Sequence, residues 1–511
     1  MFLLQANATS LINVADLRLI APELILTACA CVALVMEVIL PYRKSKLTAY
    51  FSLVGVALAF VSLYFQMGTQ GDGFYGMVRV DGFALLFKAI FLISAALAIG
   101  ISTRFLDIEG EQHGEYYALI LFATVGMMFI ACGYDLISLY VSLELMALTF
   151  YVLVAFTKRE KKSNEAAMKY FLLGAFSSGV LLYGMSLLYG IAGSTNIGEI
   201  GAELGRLMPR IEGALSAADQ PLGGLRPMLL LAMIALGAGL FFKVAAVPFH
   251  MWAPDVYEGA PTSVTAFLST GSKAASFALY ARIFSEALEP LRADWAPLLG
   301  LVAAITIMVG NWAAVTQENS KRLLAYSSIS NAGYLLLALI AHNEYGNIGL
   351  IIYLFVYTLM NMGAFGVIIS LRRRGIIGDN VDDLTGLGEK APFMAAMMAI
   401  FMLSLGGLPI TGGFIGKYFL FGGLLERGRI DHKTWYYWLA GWAIINTVVS
   451  FYYYFRFIKV MYLGDRVADN RPLALSPALQ VALVVSVVGI LVIGVYPQPL
   501  IELARSLIPS G

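Results

Sequence analysis

Long apolar runs recur along the whole chain, and short polar segments separate them. About fourteen of these runs approach the length of roughly 20 residues that an α-helix needs to cross a bilayer. They occupy residues 19–40, 48–66, 82–104, 116–134, 136–156, 166–190, 228–250, 263–286, 296–316, 323–341, 347–371, 392–424, 435–462 and 478–497. The pattern predicts an all-α polytopic membrane protein with about fourteen transmembrane helices, in which residues 1–511 form a single membrane domain.

Two of the runs contain residues that interrupt a helix. The seventh includes FFKVAAVPFHMW, in which Pro248 has no N–H to donate to the carbonyl of Val244. The twelfth is too long for one straight helix, and its segment LSLGGLPITGGFIGK holds five glycines and Pro409. Broken backbone at membrane depth is tolerated only where protein or a water-filled cavity surrounds it. We therefore expect helices 7 and 12 to be broken beside a polar interior.

The two predicted breaks are five helices apart, and a weak internal repeat has the same spacing. Aligning Tyr140 in the fifth run with Tyr326 in the tenth also brings Ser142 onto Ser328. Because the spacing is odd, the second copy enters the membrane from the opposite face. We assign residues 116–286 (helices 4–8) to a first inverted repeat and residues 296–462 (helices 9–13) to a second. Such repeats are typical of transporters that bind their ion near the middle of the membrane.

Composition strengthens this interpretation and narrows the function. The chain has 511 residues, of which 59% are hydrophobic and 13% charged, whereas soluble domains carry about 25% charged residues. The net charge of +1 says nothing about partners, and no basic tail suggests a nucleic-acid partner. The sequence has no glycine-rich phosphate-binding motif and no metal-ligand cluster, and Cys29 and Cys31 are interpreted as packing residues. We therefore expect neither a cofactor nor a metal in this chain.

Lysines and arginines near the ends of the runs predict the orientation in the membrane. They are concentrated in the connections after runs 1, 5, 9, 11 and 13, such as YRKSK and TKREKK. These connections lie on one side, which we assign to the cytoplasm. With an even number of helices, both termini are then expected on the non-cytoplasmic side.

Four ionisable residues fall near the middle of predicted helices: Glu144, Lys243, Lys273 and Lys417. A charge at the bilayer centre costs roughly 2.5–3.5 kcal/mol on insertion scales, so each position is a functional hypothesis. A buried carboxylate needs a cationic partner, and we expect Glu144 to pair with Lys243. Lysine suits proton handling because burial favours its neutral form while a nearby carboxylate favours its charged form. The alternative is a salt bridge that only joins two helices.

Further polar and helix-breaking residues are candidates for a supporting role. They are Pro248, His250, Ser330, Asn331, Tyr357 and Pro409. The serine, asparagine and tyrosine lie in runs 10 and 11, which carry no mid-helix charge, and they suit a hydrogen-bonded file of water between Lys273 and Lys417. Each is also explained as a polar contact between helices. The prolines mark the two breaks. His250 has a minor role, because it would share a helix face with Lys243 only if the helix continued through Pro248.

Three segments carry a resemblance to a known family. They are FKVAAVPFHMWAPDVYEGAPTSVTAFLSTGSKAA, SKRLLAYSSISNAGY and GLPITGGFIGKYFLF. They are similar to the antiporter-like subunits of respiratory complex I, the proton-translocating NADH–quinone oxidoreductase, and the resemblance covers essentially the whole chain. It implies the predicted helix count with helices 7 and 12 broken, and roles in proton translocation for Glu144, Lys243, Lys273 and Lys417. Within the family, lysine at position 417 and the absence of a long lateral helix favour the subunit N branch.

The resemblance also implies partners and a location. The partners are other membrane subunits of the complex, including neighbouring antiporter-like subunits, and the lipid bilayer of a bacterial cell (inner) membrane. NADH, FMN, iron–sulfur clusters and quinone would be used by the parent complex, with no redox chemistry in this chain. Two alternatives stay open, namely a subunit of a multisubunit cation/proton antiporter and a passive membrane scaffold.

Overall fold

The structure, a computed structural model, describes residues 14–39, 46–217, 225–373, 379–464 and 475–507. Within these ranges the chain is almost entirely helical. The α-helices are α1 (Val14–Leu19), α2 (Ala21–Ile39), α3 (Lys46–Phe65), α4 (Gly82–Glu109), α5 (Gly114–Cys132), α6 (Leu136–Val154), α7 (Lys161–Ala192), α8 (Ile197–Ala217), α9 (Leu225–Val244), α10 (Trp252–Gly259), α11 (Thr262–Phe267), α12 (Lys273–Arg282), α13 (Arg292–Val315), α14 (Ser320–Ala341), α15 (Glu344–Leu371), α16 (Leu387–Lys390), α17 (Pro392–Gly406), α18 (Gly412–Asp431), α19 (Trp435–Leu463), α20 (Pro477–Val495) and α21 (Gln498–Leu507). Single π-helical segments occupy Leu268–Ser272 and Ile283–Ala287, and short 3-10 segments occupy Phe74–Gly76, Glu289–Leu291 and Val381–Leu384.

A small β-hairpin is the exception to the all-α prediction. Strands β1 (Gly71–Gly73) and β2 (Val78–Val80) pair in antiparallel fashion between α3 and α4. The strands are short because the segment that joins them turns at Gly76, whose φ of 83° suits glycine. Arg79 of β2 forms an ion pair of 2.7 Å with Asp72 of β1 across the hairpin. The all-α prediction therefore holds for the bundle but not for this connection.

Eleven helices within the described residues are long and apolar enough to cross a membrane, which makes the chain a multi-pass membrane protein. Three predicted spans are outside this set. The π-helical segment divides run 263–286 into α11 and α12, and an interruption at 407–411 divides run 392–424 into α17 and α18. The third, α19, contains many Tyr and Trp residues, which lower its mean hydropathy. The count of about fourteen transmembrane helices therefore stays a prediction.

The first interruption begins directly after Lys243, because α9 ends at Val244. Ala245 takes a left-handed conformation with a φ of 59°. Its N–H donates to the carbonyl of Phe242, and the indole N–H of Trp252 donates to the same oxygen at 2.9 Å. These donors satisfy carbonyls that a helix end leaves free. We expected disruption by Pro248, which leaves the carbonyl of Val244 without a donor, and α9 ends at Val244.

The second interruption separates α17 from α18 and begins at Gly407. This glycine has a φ of 88°, and its N–H donates to the carbonyl of Leu403 at 3.0 Å. A left-handed glycine directly after the last helical residue is a common helix C-terminus, and proline often follows it. Pro409 has that place here. It stays a prediction that the helices on either side of each interruption form the broken transmembrane helices 7 and 12.

Ion pairs fix α10, the short helix that follows the first interruption. Asp255 lies 3.0 Å from Lys169 on α7 and 2.8 Å from Arg322 on α14. Glu258 lies 3.2 Å from Lys162 and 3.1 Å from Arg322. Each pair is partly exposed and is worth about 1 kcal/mol or less by itself, but the pairs form a network that joins three helices. They hold the segment beyond Lys243 against α7 and α14.

The most enclosed helices are α14 and α15. In each of them 94% of the most apolar stretch is buried inside the protein, whereas the corresponding values for α2 and α20 are 28% and 33%. Apolar side chains on α2 and α20 therefore suit contact with lipid. Helices α14 and α15 carry Ser330, Asn331 and Tyr357, so these candidates lie in the interior of the bundle.

Candidate functional site

Lys243 is buried at the end of α9. It is 7% exposed, and its Nζ donates a hydrogen bond of 3.3 Å to Ser178 Oγ on α7. The ring of Phe242 has its centroid 5.9 Å from the same nitrogen. An ammonium group near the C-terminal end of a helix is favourably placed in the field of the helix dipole. The sequence thus placed the lysine correctly beside an interruption, but it did not identify Ser178.

Glu144 on α6 lies near Lys243 without touching it. Its Oε1 atom is buried and has no hydrogen-bond partner among the described residues. The carboxylate still attracts the Lys243 ammonium electrostatically, and it also acts on Tyr151 and Tyr170. No ion pair joins the two side chains within the described residues, so the expected pair of Glu144 and Lys243 stays a prediction. The hydrogen bond that the lysine makes goes to the hydroxyl of Ser178.

Lys273 is buried at the first position of α12, directly after the π-helical segment Leu268–Ser272. Its Nζ donates to both the carbonyl oxygen and the hydroxyl of Ser328 on α14. The Ser328 hydroxyl lies 3.3 Å from the hydroxyl of Tyr257 on α10. Single π-helical turns inside α-helices are rare and often occur at functional sites. The π-helical turn here lies directly before Lys273, which binds Ser328 in the interior of the bundle.

Lys417 on α18 is 3% exposed and binds the end of the preceding helix. Its Nζ donates to the carbonyl oxygens of Leu405 and Gly406 at 2.9 and 3.1 Å, the last two residues of α17. Helix C-termini present free carbonyls and partial negative charge, so they suit a cation. A side chain at Gly407 would place its Cβ 3.0 Å from Lys417 Cδ. The interruption thus forms the acceptor site for the ammonium.

Buried aromatic and amide groups connect Lys273 with the interior of α14. The ring centroid of Tyr357 lies 5.9 Å from Lys273 Nζ and 6.1 Å from that of Tyr353. The hydroxyl of Tyr353 donates to Asn331 Oδ1 at 2.7 Å. The hydroxyl of Tyr357 is buried without a hydrogen-bond partner among the described residues. Tyr357 therefore lies beside Lys273, and Tyr353 links its ring to Asn331.

The connection continues through tyrosines of α19 that the sequence did not identify. Asn331 Nδ2 donates to the hydroxyl of Tyr454 on α19 at 3.5 Å, and that hydroxyl also shares a hydrogen bond of 2.5 Å with Ser327. The rings of Tyr454 and Tyr453 lie 4.4 Å apart, and Tyr453 donates to Asn311 Oδ1 at 2.9 Å. The tyrosine run FYYYFRF was the available signal, because three consecutive tyrosines cannot all face lipid.

Asn311 on α13 brings this cluster to Lys417. Its Nδ2 donates to the hydroxyl of Tyr334 at 3.2 Å. The ring centroid of Tyr334 lies 5.0 Å from Lys417 Nζ. A lone asparagine in the apolar run IMVGNWAAV was the signal for this residue. Contacts between buried polar and aromatic side chains thus extend from Lys273 to Lys417.

The remaining supporting candidates have less direct contacts. Ser330 donates to the carbonyl of Ser327 on its own helix, which is a local contact. His250 is partly buried, and its Nδ1 has no hydrogen-bond partner within the described residues. Pro248 and Pro409 are exposed and lie in the two non-helical segments.

A fully buried ion pair lies outside the predicted set of charges. Lys88 on α4 and Glu23 on α2 are 2.6 Å apart, and both side chains are completely buried. Arg282 is also buried, with its guanidinium 2.8 Å from both Asp81 and Glu286. Lys88 stands in the apolar segment LLFKAIFLIS, which was the signal for it. Each of these charges has an opposite partner, in contrast to Lys273 and Lys417.

Among the described residues, the site combines the buried lysines Lys243, Lys273 and Lys417 with one nearby carboxylate and a set of hydroxyls, and these groups can bind, hold and release protons. No group of three or more His, Cys, Asp or Glu side chains among them could hold a metal ion. The lysines differ from ordinary buried ion pairs because their direct partners are neutral oxygens.

Comparison with known proteins gives consistent results. Residues 133–440 match the transmembrane family described as NADH:quinone oxidoreductase/Mrp antiporter. The chain is 46% identical to NADH-quinone oxidoreductase subunit N 2 of Solibacter usitatus, over 97% of this chain and 98% of that protein. It is 47% identical to NADH-quinone oxidoreductase subunit N 1 of Koribacter versatilis, over 98% and 97% of the two chains.

Two solved structures resemble the fold. One is a chain of respiratory complex I from Thermus thermophilus with bound aureothin, with 32% identity, a TM-score of 0.76 and coverage of 94% of this chain and 98% of that one. The other is a chain of the Mrp complex from Dietzia sp., with 20% identity, a TM-score of 0.79 and coverage of 95% and 96%. The second likeness concerns the fold alone. On the strength of the sequence relatives, which it matches along almost their whole length, the chain belongs to the family of NADH-quinone oxidoreductase subunit N.

Proposed function

We propose that this chain moves protons across the membrane within an NADH–quinone oxidoreductase, that Lys243, Lys273 and Lys417 carry the proton, and that Glu144 modulates Lys243. The observation that supports this most is the set of direct partners of the three lysines, which are hydroxyl and carbonyl oxygens. A carboxylate in contact would hold the proton on a buried lysine, whereas neutral oxygens favour exchange. Electron transfer from NADH through FMN and iron–sulfur clusters to quinone takes place in other subunits.

The proposed route follows the contacts of the interior. A proton on Lys243, under the influence of Glu144, passes to Lys273. It then crosses the cluster around Asn331 with the help of water and reaches Lys417. Each lysine accepts a proton as a neutral amine and releases it as an ammonium, so no other atom is exchanged. The energy of one proton step is modest, because a charge that crosses 100 mV costs about 2.3 kcal/mol.

The proposed architecture has fourteen helices by the count of apolar runs, about three more than the structure defines by length and composition. Residues 116–286 and 296–462 form the two inverted repeats, with broken helices 7 and 12 at the two interruptions. Both termini lie on the non-cytoplasmic side of a bacterial inner membrane, and the first and last residues are outside the described ranges. Partners are the other membrane subunits, including the neighbouring antiporter-like ones.

The test compares proton pumping with electron transfer in membrane vesicles that contain the assembled complex. Lys243→Ala and Glu144→Ala are expected to reduce the pumping rate strongly relative to the rate of NADH oxidation. Lys161→Ala is the matched control, because this lysine is exposed at the start of α7. Normal pumping in both test variants would contradict the proposal.

Two other functions predict different results. A multisubunit cation/proton antiporter would exchange sodium for protons without NADH, and the likeness to the Mrp complex concerns only the fold. A passive scaffold would tolerate neutral substitutions at Lys273 and Lys417 with unchanged pumping per assembled complex. Measuring sodium-dependent proton movement without NADH, together with pumping per electron in these two variants, separates the three functions.

A further inference from the structure

We propose that Ser178 is a positioning residue that holds the Lys243 ammonium away from Glu144 and so sets how readily this lysine passes on its proton. The inference rests on the proposed role of Lys243 in proton translocation. It assigns to α7 a residue that competes with the carboxylate for the same ammonium group.

The structure gives Lys243 a hydrogen-bond acceptor on α7 and a carboxylate on α6 that acts on it electrostatically. The residue Ser178 is 97% buried, and its hydroxyl lies 3.3 Å from Lys243 Nζ, within hydrogen-bond distance. The Glu144 carboxylate attracts the same nitrogen, yet its buried Oε1 has no hydrogen-bond partner within the described residues. A lysine side chain has a flexible four-carbon stem, so its ammonium can move from one acceptor to the other.

Ser178 is held in place because α7 and α9 pack closely around it. A Cβ at Gly239 on α9 would lie 2.6 Å from the side chain of Leu181 on α7, which shows how near the two backbones are. The adjacent Ser177 donates to the carbonyl of Gly239 at 3.2 Å and fixes the helices in register. Ser178 therefore cannot retreat from Lys243 without separating α7 from α9.

The two acceptors have opposite effects on proton transfer. In contact with a carboxylate, the ammonium is stabilised in its charged form and keeps its proton. In contact with a hydroxyl, it gains a hydrogen bond but no opposite charge. Ser178 thus keeps Lys243 in the position from which the proton leaves more easily. Without the hydroxyl, Glu144 becomes the preferred partner and proton release slows.

The experiment uses the assembled complex in membrane vesicles, and it measures the initial rate of NADH-driven proton pumping divided by the rate of NADH oxidation. Ser178→Ala is expected to lower this ratio by roughly two- to ten-fold, in line with the loss of a hydrogen bond to a charged group. Ser178→Cys, which keeps the size of the side chain but accepts hydrogen bonds weakly, is expected to lower it less. Ser186→Ala is the matched control and should leave the ratio unchanged, since Ser186 on α7 is exposed and donates to the carbonyl of Tyr183 on its own helix.

A double-mutant cycle distinguishes positioning from general packing. In a Lys243→Ala background, Ser178→Ala is expected to have no further effect on the ratio, because its partner is gone. An equal loss in Ser186→Ala and Ser178→Ala, or a further loss in the double variant, would overturn the inference. A normal ratio in Ser178→Ala with a reduced one in Lys243→Ala would overturn it while leaving the proposed function intact. Normal ratios in both single variants would contradict the proposed function as well.

Discussion

The ammonium of Lys417 lies 2.9 Å from the carbonyl oxygen of Leu405, on the helix that ends just before its own. The contact exists because α17 stops at Gly406 and α18 starts at Gly412, so that the lysine reaches back to the free carbonyls. The fold thereby supplies a cation site from backbone atoms alone. Such a site binds the charged form without a counter-ion, which leaves the lysine able to lose its proton.

Lys417→Arg tests whether this group must release its proton. Arginine keeps the positive charge and the donors for the carbonyls, but it stays protonated at any physiological pH. Its proton is held roughly 100-fold or more tightly than that of lysine. We expect the complex to assemble and oxidise NADH while proton pumping per electron falls strongly.

The matching neutral variant, Lys417→Met, removes the charge and should lower pumping to a similar extent. Assembly of both complexes is checked by size-exclusion chromatography in detergent. Full pumping by the arginine variant would show that a fixed charge is sufficient at this position and that no proton leaves it.

Tyr353→Phe tests the cluster between Lys273 and Lys417. The substitution removes the hydroxyl that donates to Asn331 at 2.7 Å and leaves that buried amide oxygen without this donor. A buried acceptor left unpaired costs about 1–3 kcal/mol, so a small loss of stability should accompany a drop in pumping per electron. Thr358→Val on the same helix is the control, because Thr358 bonds only to the carbonyl of Leu354 on its own helix within the described contacts. Equal pumping in both variants would argue against a route through Asn331.

The fully buried pair of Glu23 and Lys88 predicts a stability effect that is separate from pumping. Lys88→Met leaves a carboxylate uncompensated in the interior, which costs about 3–5 kcal/mol. We expect a lower thermal unfolding midpoint of the complex, and adding Glu23→Leu should recover most of the loss. Lys46→Met is the control, since Lys46 and Asp107 form an exposed pair at 2.6 Å that is worth about 1 kcal/mol or less. A midpoint lowered equally by both lysine variants would contradict the prediction.

The apolar pattern predicted most of the helices because the thickness of the bilayer sets the length of an apolar run that crosses it as a helix. Helix α4, for example, starts at Gly82 where the third run starts, and α14 ends at Ala341 where the tenth ends. The charged candidates were equally visible, since a lysine such as Lys243 or Lys417 is conspicuous in an apolar run.

The partners of those charges were not visible, because they come from helices distant in sequence. Ser178 is 65 residues from Lys243, and Ser328 is 55 residues from Lys273. A serine in an apolar helix is common, and nothing in its local sequence tells whether it faces a lysine or its own backbone. The run 228–250 extends past the end of α9 at Val244, and the sequence did not reveal the hydrogen bond from Trp252 to the carbonyl of Phe242 at this helix end.

Gly407→Ala tests whether the shape of the second interruption positions Lys417. At a φ of 88°, a side chain strains the backbone by about 1–2 kcal/mol, and the new Cβ would lie 3.0 Å from Lys417 Cδ. Backbone strain alone would lower stability and leave pumping per assembled complex unchanged. Because the new methyl also displaces the lysine stem from the carbonyls of Leu405 and Gly406, we expect pumping per assembled complex to fall as well. Gly441→Ala in α19 is the control, since its Cβ would meet no atom within 4 Å. A Gly407→Ala complex that is less stable but pumps normally would show that the lysine tolerates displacement and that its contact with the end of α17 does not govern proton transfer.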